Sequence, residues 1–348
     1  MKVSFVSSQA INQALRYQTA RLNSDLVKAT KELGSLRVAD TGLALGARTG
    51  LSVSLHREVD RLNGLVDSNK LAATRLDISQ AGLKQMTDAA SSLLADFTTA
   101  LSNVADPAIV QQQAAKTLAL LTSVLNTNLN GEHIYAGINT DVMPLADFLD
   151  PDMDNRKAFD DAFDLHFGFD PEDPAAADIT ASQMEAFLTL IEPQFDIGDW
   201  ETNWSKATET QITSRITLTE TAPTSVSANI PGFRKLAMAA ATIAATFGGP
   251  IGEEARNVAL EKGIGLLGEA VRDLANQQGH TGVVQQRIEA ANERLSMQIN
   301  LFSGSIRDLE GVDEYEVASR ITGLRTQIEI SYSLTSSMRQ LSLLNYLS

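Results

Sequence analysis

Residues 55–101 read LHREVDRLNGLVDSNKLAATRLDISQAGLKQMTDAASSLLADFTTAL, and their spacing decides the fold. Leu55, Val59, Leu62, Val66, Asn69, Ala73, Leu76, Gln80, Leu83, Thr87, Ala90, Leu94, Phe97 and Leu101 follow one another by fours and threes without a slip. That is the heptad rhythm of one long helix carrying a narrow apolar seam. Only another helix buries a seam of this width, so the stretch predicts a partner helix elsewhere in the chain. Polar residues interrupt the seam at Asn69, Gln80 and Thr87, where they are expected to fix register while allowing small shifts.

Working outward, the rhythm recurs on both sides. Upstream, Ile11, Leu15, Leu22, Leu26, Ala29, Leu33 and Leu36 form one stripe, and Gly34, Gly42, Gly46 and Gly50 mark a break after it. Downstream, Asp106-Pro107 is a helix start, followed by Val110, Ala114, Leu118, Leu121, Leu125 and Leu129 on one side. Toward the other end, Ile288, Ala291, Leu295, Ile299, Phe302, Ile306 and Leu309 precede Gly311. Val317, Ile321, Leu324, Ile328, Leu334, Met338, Leu341 and Leu344 follow it. All nine prolines lie between Pro107 and Pro250, so both arms are free of the residue that interrupts helices.

The prediction is a mainly α fold: an elongated helical bundle with coiled-coil character formed by both chain ends, plus a small α+β insert domain in the middle. Residues 1–45 and 310–348 form the terminal coiled-coil region, 46–140 and 231–309 the helical bundle, and 141–230 the acidic insert. Seams that run nearly to both ends of a chain are expected to be completed by neighbouring copies. The candidate subunit-interface residues are therefore Ile11, Leu15, Leu22, Leu26, Leu33, Leu36, Leu324, Ile328, Leu334, Met338, Leu341 and Leu344.

Charge and composition narrow the function. The formal net charge is −15 and no Lys/Arg cluster offsets it, so nucleic acid is not an expected partner. Between Asp141 and Trp200 there are 16 acidic residues against Arg156 and Lys157, so the arms are close to neutral. Seven of the twelve Phe fall in the same segment, which gives it material for a core of its own. Around Ala222-Pro223, Gln211 to Ile230 alternates in the manner of a short hairpin or two. The chain has no cysteine, which removes disulfides and thiolate chemistry together. Met1 to Arg21 lacks the apolar run of a secretory signal, and the most apolar stretch, Leu236 to Phe247, has the length of a buried helix rather than a bilayer span. The expectation is export without a cleaved signal peptide and no membrane insertion.

Catalytic and ligand motifs are weak. Gly263-Ile264-Gly265-Leu266-Leu267-Gly268 matches the dinucleotide fingerprint, but Glu253 to Lys262 before it reads as helix where the motif needs a strand. His56, His133, His166 and His280 lack the spacing that sets two ligands on one helix face. Asp150 to Asp154 has alternating carboxylates, yet the glycine and terminal glutamate of a calcium loop are missing, which leaves a solvated acidic loop. No cofactor, metal site or catalytic residue is expected.

Two end segments carry a resemblance. Lys31-Glu32-Leu33-Gly34-Ser35-Leu36-Arg37-Val38-Ala39-Asp40 resembles the amino-terminal Leu-Ser-Ser-Gly-Leu-Arg run of the bacterial flagellin superfamily. Val312-Asp313-Glu314-Tyr315-Glu316-Val317-Ala318-Ser319-Arg320 resembles its carboxy-terminal segment. Within the superfamily, Gly131-Glu132-His133-Ile134-Tyr135-Ala136-Gly137-Ile138-Asn139-Thr140-Asp141 and the ending Gln340-Leu341-Ser342-Leu343-Leu344-Asn345-Tyr346-Leu347-Ser348 are similar to the hook-filament junction proteins rather than to filament flagellin. The resemblance implies an extracellular structural subunit of the bacterial flagellum, exported by the flagellar type III apparatus. It implies a homo-oligomeric ring with a hook-associated protein below and flagellin above. It also implies an export chaperone that covers Leu324, Ile328, Met338 and Leu341 before secretion. A minor filament flagellin is the alternative.

Overall fold

Where the apolar rhythm runs in threes and fours the chain is helical, and where proline, glycine and acidic residues crowd together it turns. The computed structural model describes residues 8–102 and 106–344 and, within them, the side chains of 10–102 and 106–337. The elements are α1 (Ser8–Ser35), α2 (Thr41–Leu45), α3 (Thr49–Leu101), α4 (Pro107–Leu125), β1 (Asn128–Leu129) and β2 (Glu132–His133). There follow α5 (Asp154–Phe167), α6 (Ala181–Ile191), the single turn α7 (Ile197–Asp199), β3 (Thr213–Arg215) and β4 (Thr221–Pro223). The chain ends with α8 (Pro231–Thr246), α9 (Glu253–Glu310) and α10 (Glu314–Leu344). Each strand pair is an antiparallel hairpin, with Asn128 opposite His133 and Ser214 opposite Ala222.

The helix ends follow from local chemistry. Asp106 accepts the Ala108 amide at 2.9 Å and Pro107 occupies the first turn of α4, where its missing N–H costs nothing. The break after α1 is made not by Gly34, which is helical, but by Leu36 at φ 53°. The Ser35 hydroxyl supports it by donating to the Lys31 carbonyl at 2.9 Å and accepting the Arg37 amide at 3.3 Å. After α9, Gly311 returns its amide to the Arg307 carbonyl, and the Asp313 carboxylate accepts the amides of Tyr315 and Glu316 to start α10.

The described residues divide into two units, one drawn from Met1–Gly64 and Leu295–Ser348, the other being Leu65–Arg294. In the second unit the heptad positions Asn69, Leu76, Leu83, Ala90 and Phe97 of α3 are at most 1% exposed. The alternate positions Ala73, Gln80, Thr87 and Leu94 are half-buried. A second row that the seam reading omitted, Ala72, Ser79, Met86, Leu93 and Ala100, is also buried. This part of α3 thus buries a broad face, as a helix does when surrounded by several neighbours rather than by one.

The extra neighbours are α4, α8 and the segment 141–230, which share one continuous core with α3 and α9. As its apolar run predicted, α8 is buried on almost every side. Its two cations are consumed locally: Arg234 donates to the Phe195 and Asn229 carbonyls, and Lys235 lies 2.8 Å from Asp273 and 2.9 Å from Glu269. In the insert, Phe148, Trp204 and Trp200 stack in parallel with centroids 5.0 and 5.1 Å apart, and the Arg156 guanidinium sits 5.4 Å from the Phe148 centroid. Acidic residues fold the turns around this aromatic centre: Asp147, Asp150 and Asp173 accept the amides of Leu149, Asp152 and Ala175.

Tyr135, from the Gly131–Asp141 segment, plugs into the same core. It is fully buried, its hydroxyl donates to the Ser79 carbonyl at 3.0 Å, and burial pushes its phenol pKa up. Gly82 of α3 makes room for it, since a Cβ there would run into the Tyr135 Oη and stand 2.9 Å from Val124 Cγ1. Gly82→Ala should therefore cost about 1–3 kcal/mol of stability in this unit. The cost should shrink in a Tyr135→Phe background, where the obstructing oxygen is gone. Urea unfolding followed by the fluorescence of Trp200 and Trp204, the chain's two tryptophans, measures both. Equal costs in the two backgrounds would show that Tyr135 is not what requires the glycine.

Candidate assembly interface

The unit containing both arms is built around the antiparallel pair α1 and α10. Ala29 of α1 packs with Val317 and Ile321 of α10, and Leu26, Leu33, Val312 and Leu324 close around them. Ala29 is the one small residue in this cluster, and the seam buries little. Only three residues of this cluster are buried outright. Arg320 donates to Glu32 at 2.7 Å across the edge of the seam, an exposed pair that contributes orientation more than stability.

Where α1 gives way to the linker toward α3, the two breaks of the chain are stitched together. Val38 donates its amide to the Glu310 carbonyl at 2.8 Å, Val312 donates to the Leu36 carbonyl at 3.2 Å, and Arg37 and Gly311 form a β-bridge. The Glu310 side chain, 4% exposed, turns inward. It accepts a hydrogen bond from the Ser52 hydroxyl, meets His56 Nε2 at 3.0 Å and lies 3.6 Å from Arg37 Nη1. Burial alone would raise its pKa, but the hydrogen bonds from Ser52 and His56 and the charges of His56 and Arg37 outweigh it and hold the carboxyl below its usual range. The trio Ser52, His56 and Glu310 is not a nucleophile relay. The carboxylate stands in the middle, so the imidazole is not aimed at the serine.

The candidate interface residues divide by place. Leu22 and Ile328 are buried. Ile11, Leu15, Leu26, Leu33 and Leu324 are half-buried, and Leu36 and Leu334 are about half exposed. The side chains of Met338, Leu341 and Leu344 lie outside the described residues. The structure brings Leu26, Leu33 and Leu324 together in the α1/α10 seam, so the chain covers much of its own stripe. Other apolar rows stay open, among them Met297 and Leu301 on α9 and Ile330 and Leu334 on α10, with Tyr17 on α1 at 76% exposure. Both pairs are spaced by four: Met297 and Leu301 sit off the main stripe, whereas Ile330 stands beside Leu334, which belongs to it. Between α1 and α10 a groove of ≈ 580 Å³ is lined by Arg16, Thr19, Ala20, Asn23, Tyr332, Thr335 and Ser336.

Both arms are helical, paired and broken at matching places, and known families describe the same two pieces. The bacterial flagellin N-terminal helical region matches residues 6–140, and the bacterial flagellin C-terminal helical region matches residues 264–347. The chain belongs to the flagellin family. No curated protein matches it. Flagellins are structural, non-catalytic proteins that self-assemble into the extracellular flagellar filament, and this flagellin-family chain is a structural flagellar subunit.

Its chemistry agrees with that role. The Gly263–Gly268 fingerprint lies inside the unbroken α9, and Gly263 packs against Phe97, with a Cβ there only 2.8 Å from the ring. Among the described residues no helix is long and apolar enough to cross a membrane. Ile321→Asp should open the α1/α10 seam, because a buried, unpaired carboxylate costs about 3 kcal/mol or more. Hydrogen exchange in α1 and α10 should accelerate while tryptophan fluorescence from the other unit stays unchanged. Ser319→Asp, on the exposed side of α10, should leave both unaltered.

Proposed function

We propose that this flagellin-family subunit is a hook-filament junction protein, which forms a ring between a hook-associated protein below and flagellin above. The apolar rows left open once α1 and α10 have paired carry the assembly part of this reading. Surfaces such as Met297/Leu301 and Ile330/Leu334 have no cover within the described chain and suit contact with copies and neighbours. The junction part rests on the likeness of Gly131–Asp141 and of Gln340–Ser348 to junction proteins. Tyr135, at the centre of the first motif, holds a structural post against α3. The twelve candidate residues act in this reading as an arm seam that neighbouring subunits complete. An export chaperone that holds the α10 stripe before secretion, and passage through the type III apparatus, belong to the same proposal.

Charge shapes how copies meet. The unit with the arms carries 13 basic against 11 acidic residues, whereas the unit 65–294 carries 15 against 32. Like-charged units brought side by side repel, and salt screens that repulsion. Self-association followed by sedimentation should therefore strengthen as salt rises from about 0.01 to about 0.15 M, which shortens the Debye length from about 30 to about 8 Å. Weakening over the same range would show that opposite charges meet between copies.

Gold-labelled antibody on isolated flagella tests the position. Label confined to the hook-filament boundary is the expected result. Label along the filament, together with growth of the purified protein from filament seeds, would make it a minor flagellin. Tyr17→Asp and Leu301→Asp should leave the fold intact, since both side chains are exposed, yet prevent incorporation into flagella. Normal incorporation of the double variant would remove these faces from the interface.

A further inference from the structure

We propose that Glu310 is a proton-operated latch: its carboxylate fastens the α1–α3 linker and the start of α3 to the α9–α10 turn, and acid releases it. The inference concerns the arms of the subunit itself and stands whether or not the junction assignment holds.

The geometry is that of a fastening point. Glu310 is the last residue of α9, and its side chain is 4% exposed although it carries a charge. Three contacts reach it from two other segments: Arg37 from the linker, and Ser52 and His56 from consecutive turns of α3. Its backbone carbonyl accepts the Val38 amide, and one residue beyond Gly311 the Val312 amide is donated to Leu36. One residue thus anchors both strands of the stitch, by side chain and by main chain. The Ser52 hydroxyl is buried at 2% exposure, so loss of its acceptor would leave an unsatisfied donor as well.

The charged surroundings define what a proton does. Arg37 and His56 are the charged groups in contact with the carboxylate. Arg307 and Asp308 on its own helix are exposed, as is Asp313 beyond it, whose carboxylate is taken by the amides of Tyr315 and Glu316. Glu32, near the end of α1, accepts the Ala39 amide and Arg320, and the linker's own carboxylate, Asp40, accepts the Leu43 amide. Protonating Glu310 removes the anion that holds Arg37 and His56, leaving a neutral acid between them. A carboxyl held below its ordinary value contributes stability that is fully present above the unfolded value. That stability is lost as pH falls through the folded one. The window therefore lies below about pH 4.3, the unperturbed glutamate value.

Hydrogen exchange of the Val38 and Val312 amides, corrected for intrinsic rates, reads the latch directly. Between pH 7 and pH 3 the protection of both should be progressively lost in the unaltered protein as the carboxylate takes up its proton. In Glu310→Gln it should already be low at pH 7 and nearly flat with pH, and Glu32→Gln should keep the full pH dependence. Equal pH profiles for the unaltered protein and Glu310→Gln would overturn the proposal, as would protection that stays constant in the unaltered protein. Should Glu310→Gln fail to fold, the carbon resonance of the Glu310 carboxyl decides. Its titration midpoint must coincide with the loss of protection at Val38 and Val312, and separate midpoints would refute the latch.

Discussion

The antiparallel register of α3 and α9 is the constraint on which the unit 65–294 depends. Asn69 Nδ2 donates to Asn292 at 2.8 Å, Gln285 donates to Asp77 at 2.7 Å, Gln278 donates to Thr87 at 2.6 Å, and the Phe97 ring lies against Gly263. As the residue number rises along α3 it falls by nearly the same amount along α9, so all four contacts belong to one alignment. A shift of one residue would break every one of them. Apolar heptads alone tolerate slippage by a whole repeat, whereas buried amides that must find particular partners do not. The hairpin β3–β4 reads this alignment too, because Asn69 also donates to the Ile216 carbonyl and Glu220 holds both Arg287 and Arg294.

Much of this was legible because heptads, proline and helix caps are local signals. The long helix through residues 55–101, the start at Asp106-Pro107, the break at Gly311 and the buried character of Leu236 to Phe247 all emerge from spacing and chemistry within a few residues. What stayed hidden depends on contacts remote in sequence. The second buried row of α3, from Ala72 to Ala100, appears only once α4, α8 and the insert surround it, and Gly82 gains meaning only when Tyr135 arrives. The three polar interruptions of the seam also part ways. Asn69, through Nδ2, and Thr87 find partners on α9, while Gln80 Oε1, like Asn69 Oδ1, has no hydrogen-bond partner among the described residues. The break after α1 shows the same limit, since Leu36 rather than a glycine takes the left-handed conformation.

Of the candidate assembly face, the sequence disclosed the stripe but not which parts of it remain uncovered among the described residues. Leu26, Leu33 and Leu324 look alike in the heptad pattern to any residue awaiting a neighbour, yet α1 and α10 cover them mutually. The rows that stay open, such as Met297 and Leu301, are short and lie off the periodic seam. The joint at Glu310 was invisible for a different reason. A glutamate at a helix end before a glycine is ordinarily solvated, and only the arrival of Ser52, His56 and Arg37 from other segments turns it inward.

The two units solve opposite problems with the same kind of helix. The unit 65–294 has a large apolar core, an aromatic stack and an excess of acidic residues, so most of its packing is internal and its charge opposes close approach of like copies. The unit with the arms has a core cluster of a few residues, near-neutral charge and open apolar rows. Conformational entropy of about 1–2 kcal/mol per ordered residue weighs against long helices held by so little burial. Their order must come from specific fastenings, of which the Glu310 joint is the most buried, and from surfaces supplied by other subunits. A flagellar subunit needs that imbalance: arms that were fully satisfied alone would gain nothing by assembling, and arms without any internal seam would reach their neighbours in no defined shape.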